Sequence, residues 1–171
     1  NILGGKGGVN VMIGKQGNDI YYSDHVSDME IEKEGGGIDE IRSSVDKTLR
    51  KHVENLVLTG TANITGQGNN SNNNLTGNSG NNVLNGKGGI DVMTGQGGND
   101  IYIVDHESDK VIEKAGGGKD QIRSTLTFTL PDHVEMLVLN GKGNINGYGN
   151  SRNNTLRGNA GNNILDGKYL L

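Results

Sequence analysis

Cysteine and tryptophan are absent from this sequence, and proline and phenylalanine occur once each. Without cysteine, neither disulfide bonds nor thiolate metal sites can stabilise the fold, and only oxygen and histidine ligands remain for a metal. Hydrophobic residues make up only 31% of the chain, which is little material for an ordinary compact core. Repetition or a bound ion must therefore add stability.

Charge of one sign is also not in large excess. The chain has 20 acidic and 16 basic residues, and its Lys and Arg residues are not clustered. This pattern argues against a nucleic-acid groove or an anionic membrane surface as partner, whereas divalent cations fit it better. No apolar run approaches the roughly 18 residues of a membrane span. The first residue is Asn rather than Met, and we expect the chain to be a fragment of a larger protein.

What the sequence does contain is glycine, 30 residues of it, arranged in repeats. Shifting the sequence by 81 positions aligns two copies without a gap, with 49 of the first 81 positions identical. The repetition predicts unit 1 at residues 1–81, unit 2 at 82–162 and the start of a third unit at 163–171, in a single array without an internal domain boundary.

Within each unit a shorter period of nine residues appears. Rows beginning at Gly68, Gly77, Gly86 and Gly95 have the sequences GNNSNNNLT, GNSGNNVLN, GKGGIDVMT and GQGGNDIYI. Their eighth place is always apolar, which suits a short strand with one inward side chain but not a helical stripe. The eighth-place residues in both units are Met12, Tyr21, Leu75, Leu84, Met93, Tyr102, Leu156 and Leu165. The sequence therefore predicts an all-β fold, a parallel β-solenoid.

The rows Gly86–Thr94 and Gly95–Ile103 resemble the G-G-x-G-x-D-x-U-x nonapeptide of secreted bacterial RTX (hemolysin-type) proteins. That resemblance implies a parallel β-roll that binds several Ca²⁺ ions. Lys or Gln replaces the second glycine in some rows and Asn replaces the aspartate in others, so we expect calcium affinity to vary along the array.

In the resembling fold two rows complete one coil, and an ion lies between a row and the next but one. Glycine-rich turns supply carbonyl oxygens and the sixth-place residue supplies a carboxylate. The predicted carboxylate pairs are Asp91 with Asp109, Asp100 with Asp120, and Asp19 with Asp39, with a weaker site where Asn10 stacks on Asp28. The full set of predicted metal ligands is Asp19, Asp28, Asp39, Asp91, Asp100, Asp109, Asp120, Asn10, Asn73, Asn82, Gly86, Gly88, Gly95, Gly97, Gly116 and Gly118.

Three further features complete the structural prediction. Glu30 occupies an inward place where unit 2 has Val111. The segments Ser43–Leu58 and Ser124–Leu139 lack glycine turns and alternate in part, which predicts longer strands that continue the solenoid. The Asn-rich rows predict either hydrogen-bonded ladders or amide oxygens that assist a calcium ion.

The resulting function is that of a calcium-binding module, not an enzyme, which folds on binding Ca²⁺ outside the cell and supports an attached toxin, enzyme or adhesin domain. His25 and His52 recur as His106 and His133, whereas an active site normally occurs once. The alternatives are an adhesin segment that binds a glycan or ice, and a parallel β-helix enzyme acting on polysaccharides. The implied partners are calcium ions, covalently attached domains and, as a further candidate, a glycan.

Overall fold

The computed structural model describes residues 1–167, and residues 168–171 of the predicted third unit lie outside the described part. These 167 residues form 19 strands of two to five residues and no helix. It follows that no described helix is long and apolar enough to cross a membrane.

Successive strands alternate between two faces of a flattened coil. One face carries the odd-numbered strands, β1 (Ile2–Gly4), β3 (Ile20–Ser23), β5 (Glu40–Ser43), β7 (Asn55–Leu58), β9 (Asn74–Thr76), β11 (Val92–Thr94), β13 (Lys110–Ile112), β15 (Phe128–Thr129), β17 (Gly147–Tyr148) and β19 (Leu165–Asp166). The other face carries β2 (Val11–Lys15), β4 (Met29–Glu32), β6 (Lys47–Thr48), β8 (Thr65–Gln67), β10 (Val83–Asn85), β12 (Ile101–Val104), β14 (Gln121–Ser124), β16 (Met136–Leu139) and β18 (Thr155–Arg157).

Every paired strand is parallel to its neighbour on the same face. In the regular rows the partners are two nonapeptides apart, as in Val83 with Ile101 and Val92 with Asn74. Two rows therefore complete one coil, and the predicted parallel β-roll is confirmed.

The core is a single column of side chains between the two faces. Six of the eight predicted inward residues are buried, among them Tyr21, Leu84 and Tyr102 at 0% exposure. Leu156 is half-buried. Leu165 is 43% exposed, because it lies in the last described strand and no further described coil covers it. Most regular rows thus fill the core with one apolar side chain per strand, whereas β7, β12 and β16 each bury two.

The prediction of longer strands in 43–58 and 124–139 is wrong, although both segments do continue the solenoid. Each is divided into short strands, because a Ser hydroxyl binds the backbone two residues on, as Ser43 Oγ does with Val45 O at 2.8 Å. A second break lies at His52 and His133, whose φ angles of 66° and 67° are left-handed. After this turn Leu137 and Leu139 are buried, whereas Met136 and Val138, which alternate with them, are half-buried.

Nine strands fall in each 81-residue repeat, β1–β9 in the first and β10–β18 in the second. Because nine is odd, equivalent strands of the two units lie on opposite faces of the roll. Equivalent turns therefore lie on opposite edges. We call the turns that precede odd-numbered strands the first edge and those that precede even-numbered strands the second edge.

Each face has one discontinuity, and the two are equivalent. Strands β4 and β6 do not pair on one face, nor do β13 and β15 on the other. Glu30 of β4 pairs in register with Met12 and is fully buried, so its predicted inward orientation is confirmed. Its carboxylate lies 2.7 Å from Lys47 Nζ of β6, across the discontinuity.

Candidate metal centres in the turns

The sixth-place residues of alternate rows lie directly above one another. On the first edge, Asn73 N donates to Asp91 Oδ1 at 2.8 Å, and Asp91 N donates to Asp109 Oδ1 at 2.9 Å. On the second edge, Asn82 and Asp100 make the same contacts to Asp100 and Asp120, at 2.7 and 2.8 Å. Each aspartate thus uses one carboxylate oxygen to hold the coil before it.

Unit 1 has the same arrangement on the opposite edges. Asp19 N donates to Asp39 Oδ1 at 2.8 Å, and the amino group of Asn1 contacts Asp19. Asn10 N donates to Asp28 Oδ1 at 2.9 Å. The structure therefore brings together all of the aspartate and asparagine pairs that the sequence predicts, while their role as ligands stays a prediction.

The other oxygen of most of these aspartates has no hydrogen-bond partner. This holds for the buried Oδ2 atoms of Asp19, Asp39, Asp91, Asp100 and Asp120. A buried carboxylate oxygen without a partner is costly, and each such oxygen needs a donor or a cation. Asp91 Oδ2 and Asp100 Oδ2 lie beside the turn glycines Gly86 and Gly95. Carboxylate and backbone carbonyl oxygens are the donors that Ca²⁺ prefers.

Glycine is required beside these carboxylates. A Cβ atom at Gly86 would overlap the Asp91 carboxylate, and one at Gly95 would overlap the Asp100 carboxylate. Gly118 passes so close to the Gly98 carbonyl that a side chain cannot fit. Gly88 and Gly97 have no atom within 3.6 Å of such a Cβ, and Gly116, at φ 78°, has open space.

Lys or Gln replaces the second glycine of the pattern in four rows, and in all but the row of Lys6 the φ angle stays left-handed. Lys15, Lys87 and Gln96 replace it and keep left-handed φ angles of 82°, 64° and 76°. The turns therefore retain their shape, at the cost of holding side chains in a region that favours glycine.

Burial makes these carboxylates reluctant to ionise without a cation. Burial raises the pKa of Asp100 to about 7, and the neighbouring Asp120 and Glu113 carboxylates add to the effect. Burial likewise raises the pKa of Asp91 to about 6 and that of Asp120 to about 6. The pKa of Asp39 is raised as well, chiefly by burial. A bound divalent cation would favour the ionised forms.

The turn of Asn10 and Asp28 differs from the other paired turns, because groups of the protein itself hydrogen-bond to its oxygens. Burial acts to raise the pKa of Asp28, but hydrogen bonds from Asn10, His25 and Asp24 lower it below its ordinary value. Asp28 Oδ2 accepts from the backbone of Asp24 and His25, both at 3.1 Å, and Asp109 Oδ2 accepts in the same way in unit 2, so the difference between the units lies at Asn10. Asn10 Nδ2 donates to the carbonyls of Gly7 and Gly8 at 3.3 and 3.2 Å, which are oxygens that an ion would otherwise use.

The Asn-rich rows form ladders. Asn72 Oδ1 accepts from Ile90 N at 2.8 Å, and Asn81 Oδ1 accepts from Asn99 N at 2.7 Å. Asn73 and Asn82, predicted as ligands, direct their amide groups to the preceding coil and accept within their own turns from Asn69 N and Asn78 N. Of the two sequence-based alternatives, the geometry favours hydrogen-bonded ladders.

Four glutamates that lie at these turns were not predicted from the sequence. Glu32 lies with Asp19 and Asp39, and Glu113 with Asp100 and Asp120, in clusters whose ligand atoms are all within 4.8 Å of one another. Glu54 Oε2 and Glu135 Oε2 accept from the backbone of Asp39 and Asp120, both at 2.9 Å. The available signal was their exact recurrence after 81 residues. It was missed because the nonapeptide pattern contains no glutamate.

His25 and its equivalent in unit 2, His106, stabilise turns. His25 Nδ1 and His106 Nδ1 accept from the backbone of Ser27 and Ser108, both at 3.1 Å. Together with the left-handed His52 and His133, they occupy structural positions in both units.

Comparison with protein families agrees with this geometry. A model of the RTX calcium-binding nonapeptide repeat matches in four copies at residues 66–103 and 148–167, about a third of the chain. The chain carries RTX calcium-binding repeats. Such repeats bind Ca²⁺ at multiple sites, and their modules are structural rather than typically catalytic. Searches of curated proteins and of solved structures gave no significant match.

The matched residues lie in regular nonapeptide rows, while the rows at 5–13 and 14–22 and the irregular coils lie outside the match. Asp91 and Asp100 lie within the match, whereas Glu113, Asp120 and the whole cluster of Asp19, Glu32 and Asp39 lie outside it. The stacked aspartates therefore extend beyond the residues that match the family model.

Proposed function

We propose that this chain is a calcium-dependent folding module of a secreted bacterial protein, which orders outside the cell and supports the folding, secretion or stability of an attached toxin, enzyme or adhesin domain. The observation that carries the proposal is the set of five buried aspartate oxygens without a hydrogen-bond partner.

The energetic argument concerns the ion-free chain. Ionised carboxylates would face one another across one strand spacing, roughly 4.7–4.9 Å, in a buried setting. In most regular rows the core offers one apolar side chain per strand, which is little to offset the conformational entropy lost on folding. Calcium removes the repulsion and supplies the missing partners, so its binding free energy becomes folding free energy.

The location follows from the calcium supply. RTX proteins are typically secreted, and extracellular calcium modules commonly bind at about 10⁻⁴–10⁻³ M. A module in that range stays unfolded in a calcium-poor cytoplasm and folds after export. The sixteen predicted ligands, and the single array of units 1–81 and 82–162, belong to this proposal.

Circular dichroism tests it. In calcium-free buffer we expect a disordered spectrum, which becomes β-rich with millimolar Ca²⁺. Magnesium should order the chain poorly, because it prefers octahedral shells at about 2.0–2.1 Å and gives up water reluctantly. A β-rich spectrum that is the same in chelator and in calcium would refute coupled folding, and equal ordering by Mg²⁺ would refute the carbonyl-rich sites.

A further inference from the structure

Glu32 and Glu113 occupy a place that the nonapeptide gives to glycine. Each lies 18 residues after a first-place glycine, Gly14 and Gly95, and so one coil above it. In both units the glutamate is followed by a lysine and, two residues later, by three glycines that begin an enlarged turn. The substitution therefore coincides with the point where the coil lengthens from 18 to 20 residues, as the step from Asp100 to Asp120 shows.

Each glutamate side chain extends back into the turn below it. A Cβ at Gly14 would overlap the carboxylates of Glu32 and Asp19, and one at Gly95 would overlap those of Glu113 and Asp100. The glycines thus leave the space that the glutamates use. This is a close approach that no side chain at position 14 or 95 would permit.

The resulting clusters contain oxygens aimed at one another without partners. Asp100 Oδ2 and Asp120 Oδ2 are buried and unpaired, as are Asp19 Oδ2, Asp39 Oδ2 and Glu32 Oε2. All three carboxylates of each cluster have ligand atoms within 4.8 Å. Three carboxylates that converge in this way repel one another unless a cation lies between them.

A phenol completes each cluster. Tyr21 Oη donates to Glu32 Oε1, and Tyr102 Oη donates to Glu113 Oε1. These hydrogen bonds fix the glutamates from the interior of the roll, while the rings themselves are buried at 0% exposure. Glu32 Oε2 is left without a partner, and Glu113 Oε2 accepts only a long hydrogen bond from Lys114 N at 3.3 Å.

We propose that Asp19, Glu32 and Asp39 form one three-carboxylate site and Asp100, Glu113 and Asp120 another, and that these two sites fill before the two-carboxylate RTX sites. The inference rests on the proposed calcium function and adds a binding order to it. Affinity in oxygen-ligand sites rises with the number of charged ligands, so a hard divalent or trivalent cation is the expected occupant. Each unit thereby receives one site at which ordering begins.

Terbium luminescence tests the inference, because Tb³⁺ is a hard cation that tyrosine sensitises over short distances. The chain has no tryptophan and five tyrosines, two of which are bonded to the proposed ligands. In the wild-type chain we expect the first phase of a Tb³⁺ titration to saturate at two ions. A Tyr21→Phe/Tyr102→Phe variant should lose most of this signal, because it removes the two phenols that donate to the proposed ligands.

Glutamine variants then test the glutamates, since glutamine keeps the size and the acceptor for tyrosine. Glu32→Gln or Glu113→Gln should each lower the first phase from two ions to one, with affinity at the altered site reduced about tenfold or more. The matched control is Glu34→Gln/Glu107→Gln, which removes two exposed glutamates from neighbouring turns. This control should leave the first phase unchanged.

The outcomes separate the two proposals. If the glutamine variants titrate like the wild type while calcium still orders the chain, the three-carboxylate sites are wrong and the calcium module stands. If neither the wild type nor any variant responds to calcium by circular dichroism, the proposed function fails and the binding order fails with it. Each single variant keeps one intact cluster, so a variant that does not fold even with calcium would itself show that the altered site is required for ordering.

Discussion

Units 1 and 2 solve the same packing problem in opposite ways at the sheet discontinuity. In unit 1 the interior holds Ser23, Glu30 and Lys47, all buried, with Lys47 Nζ 3.0 Å from Ser23 Oγ and 2.9 Å from the Asp28 carbonyl. In unit 2 the equivalent positions are Val104, Val111 and Phe128. Val104 and Val111 are buried, and Phe128 packs against the core cluster.

The metal turns beside these positions differ in the same sense. In unit 1 the Asn10 amide and the Lys47 ammonium donate to oxygens around Asp28. In unit 2 the equivalent turn pairs Asp91 with Asp109, and Asp91 Oδ2 is buried without a partner. Unit 1 thus carries its own donors where unit 2 requires an ion. The comparison indicates that dependence on calcium varies between coils of nearly identical backbone.

The largest expected effect comes from breaking the buried ion pair. Lys47→Ala leaves Glu30 charged and unpaired in the core, which should lower the free energy of unfolding of the calcium-loaded chain by about 3–5 kcal/mol. The triple variant Ser23→Val/Glu30→Val/Lys47→Phe copies unit 2 and should lose far less, because apolar residues replace the whole polar group. Urea unfolding measures both. Equal losses in the two variants would show that the ion pair is not what stabilises this position.

Removing a ligand carboxylate should have the next largest effect. Asp100→Ala deletes a carboxylate shared by the turns of Asn82 and Asp120, and calorimetry should show a loss of calcium affinity or of one bound ion. Asn73→Ala is the control, since the Asn73 amide is already bonded to Val53 O and Glu54 O at 3.2 Å. Identical calcium titrations for the two variants would mean that the assigned register is wrong.

Acid should weaken calcium binding over a defined range. With the pKa of Asp100 at about 7 in the ion-free fold, calcium must displace a proton below that pH. For calcium-free chains that are already folded, apparent affinity should fall by about tenfold per pH unit below 7 for each displaced proton.

The same pKa shift sets the stability of the ion-free fold. A raised carboxyl pKa contributes stability that is fully present below the unfolded value near 3.8 and is lost as pH rises through about 7. The calcium-free chain should therefore gain β structure between pH 8 and pH 4, as circular dichroism can follow. A β content of the calcium-free chain that is the same at pH 8 and at pH 4 would contradict the raised pKa of Asp100 in the ion-free fold.

The smallest expected effect is a gain in calcium affinity at one turn of unit 1. Asn10→Asp gives unit 1 the residue that unit 2 has at Asp91, and it removes the amide that donates to Gly7 and Gly8. The variant should bind calcium a few-fold more tightly at this turn, and the reciprocal Asp91→Asn should bind more weakly. If calorimetry shows no change in either direction, the sixth-place residue does not set affinity.

Much of this structure is present in the nonapeptide pattern itself. The parallel coil, the inward eighth place and the stacking of Asp91 on Asp109 all follow from a period of nine and two rows per coil. These features depend on local geometry that repeats, so one register rule predicts them along the regular rows.

The remaining features arise where the period changes. The turns at His52 and His133 divide segments whose apolar alternation predicts longer strands, because a left-handed residue reverses the chain without glycine. Glu32 and Glu113 occupy a place that the nonapeptide gives to glycine, so the pattern does not identify them as ligands. The Glu30–Lys47 pair joins positions 17 residues apart across strands that do not pair, and sequence alone indicates only that Glu30 points inward.

The most direct test of the account is a crystal structure of the calcium-loaded chain with anomalous scattering data. We expect calcium peaks in two files along opposite edges of the roll, at the paired turns of Asp19 and Asp39, of Asp91 and Asp109, and of Asp100 and Asp120. The turn of Asn10 and Asp28 should show a weaker peak. Calcium peaks away from these turns, or no peaks in a chain that is folded, would contradict the claim that calcium completes the stacked aspartate turns.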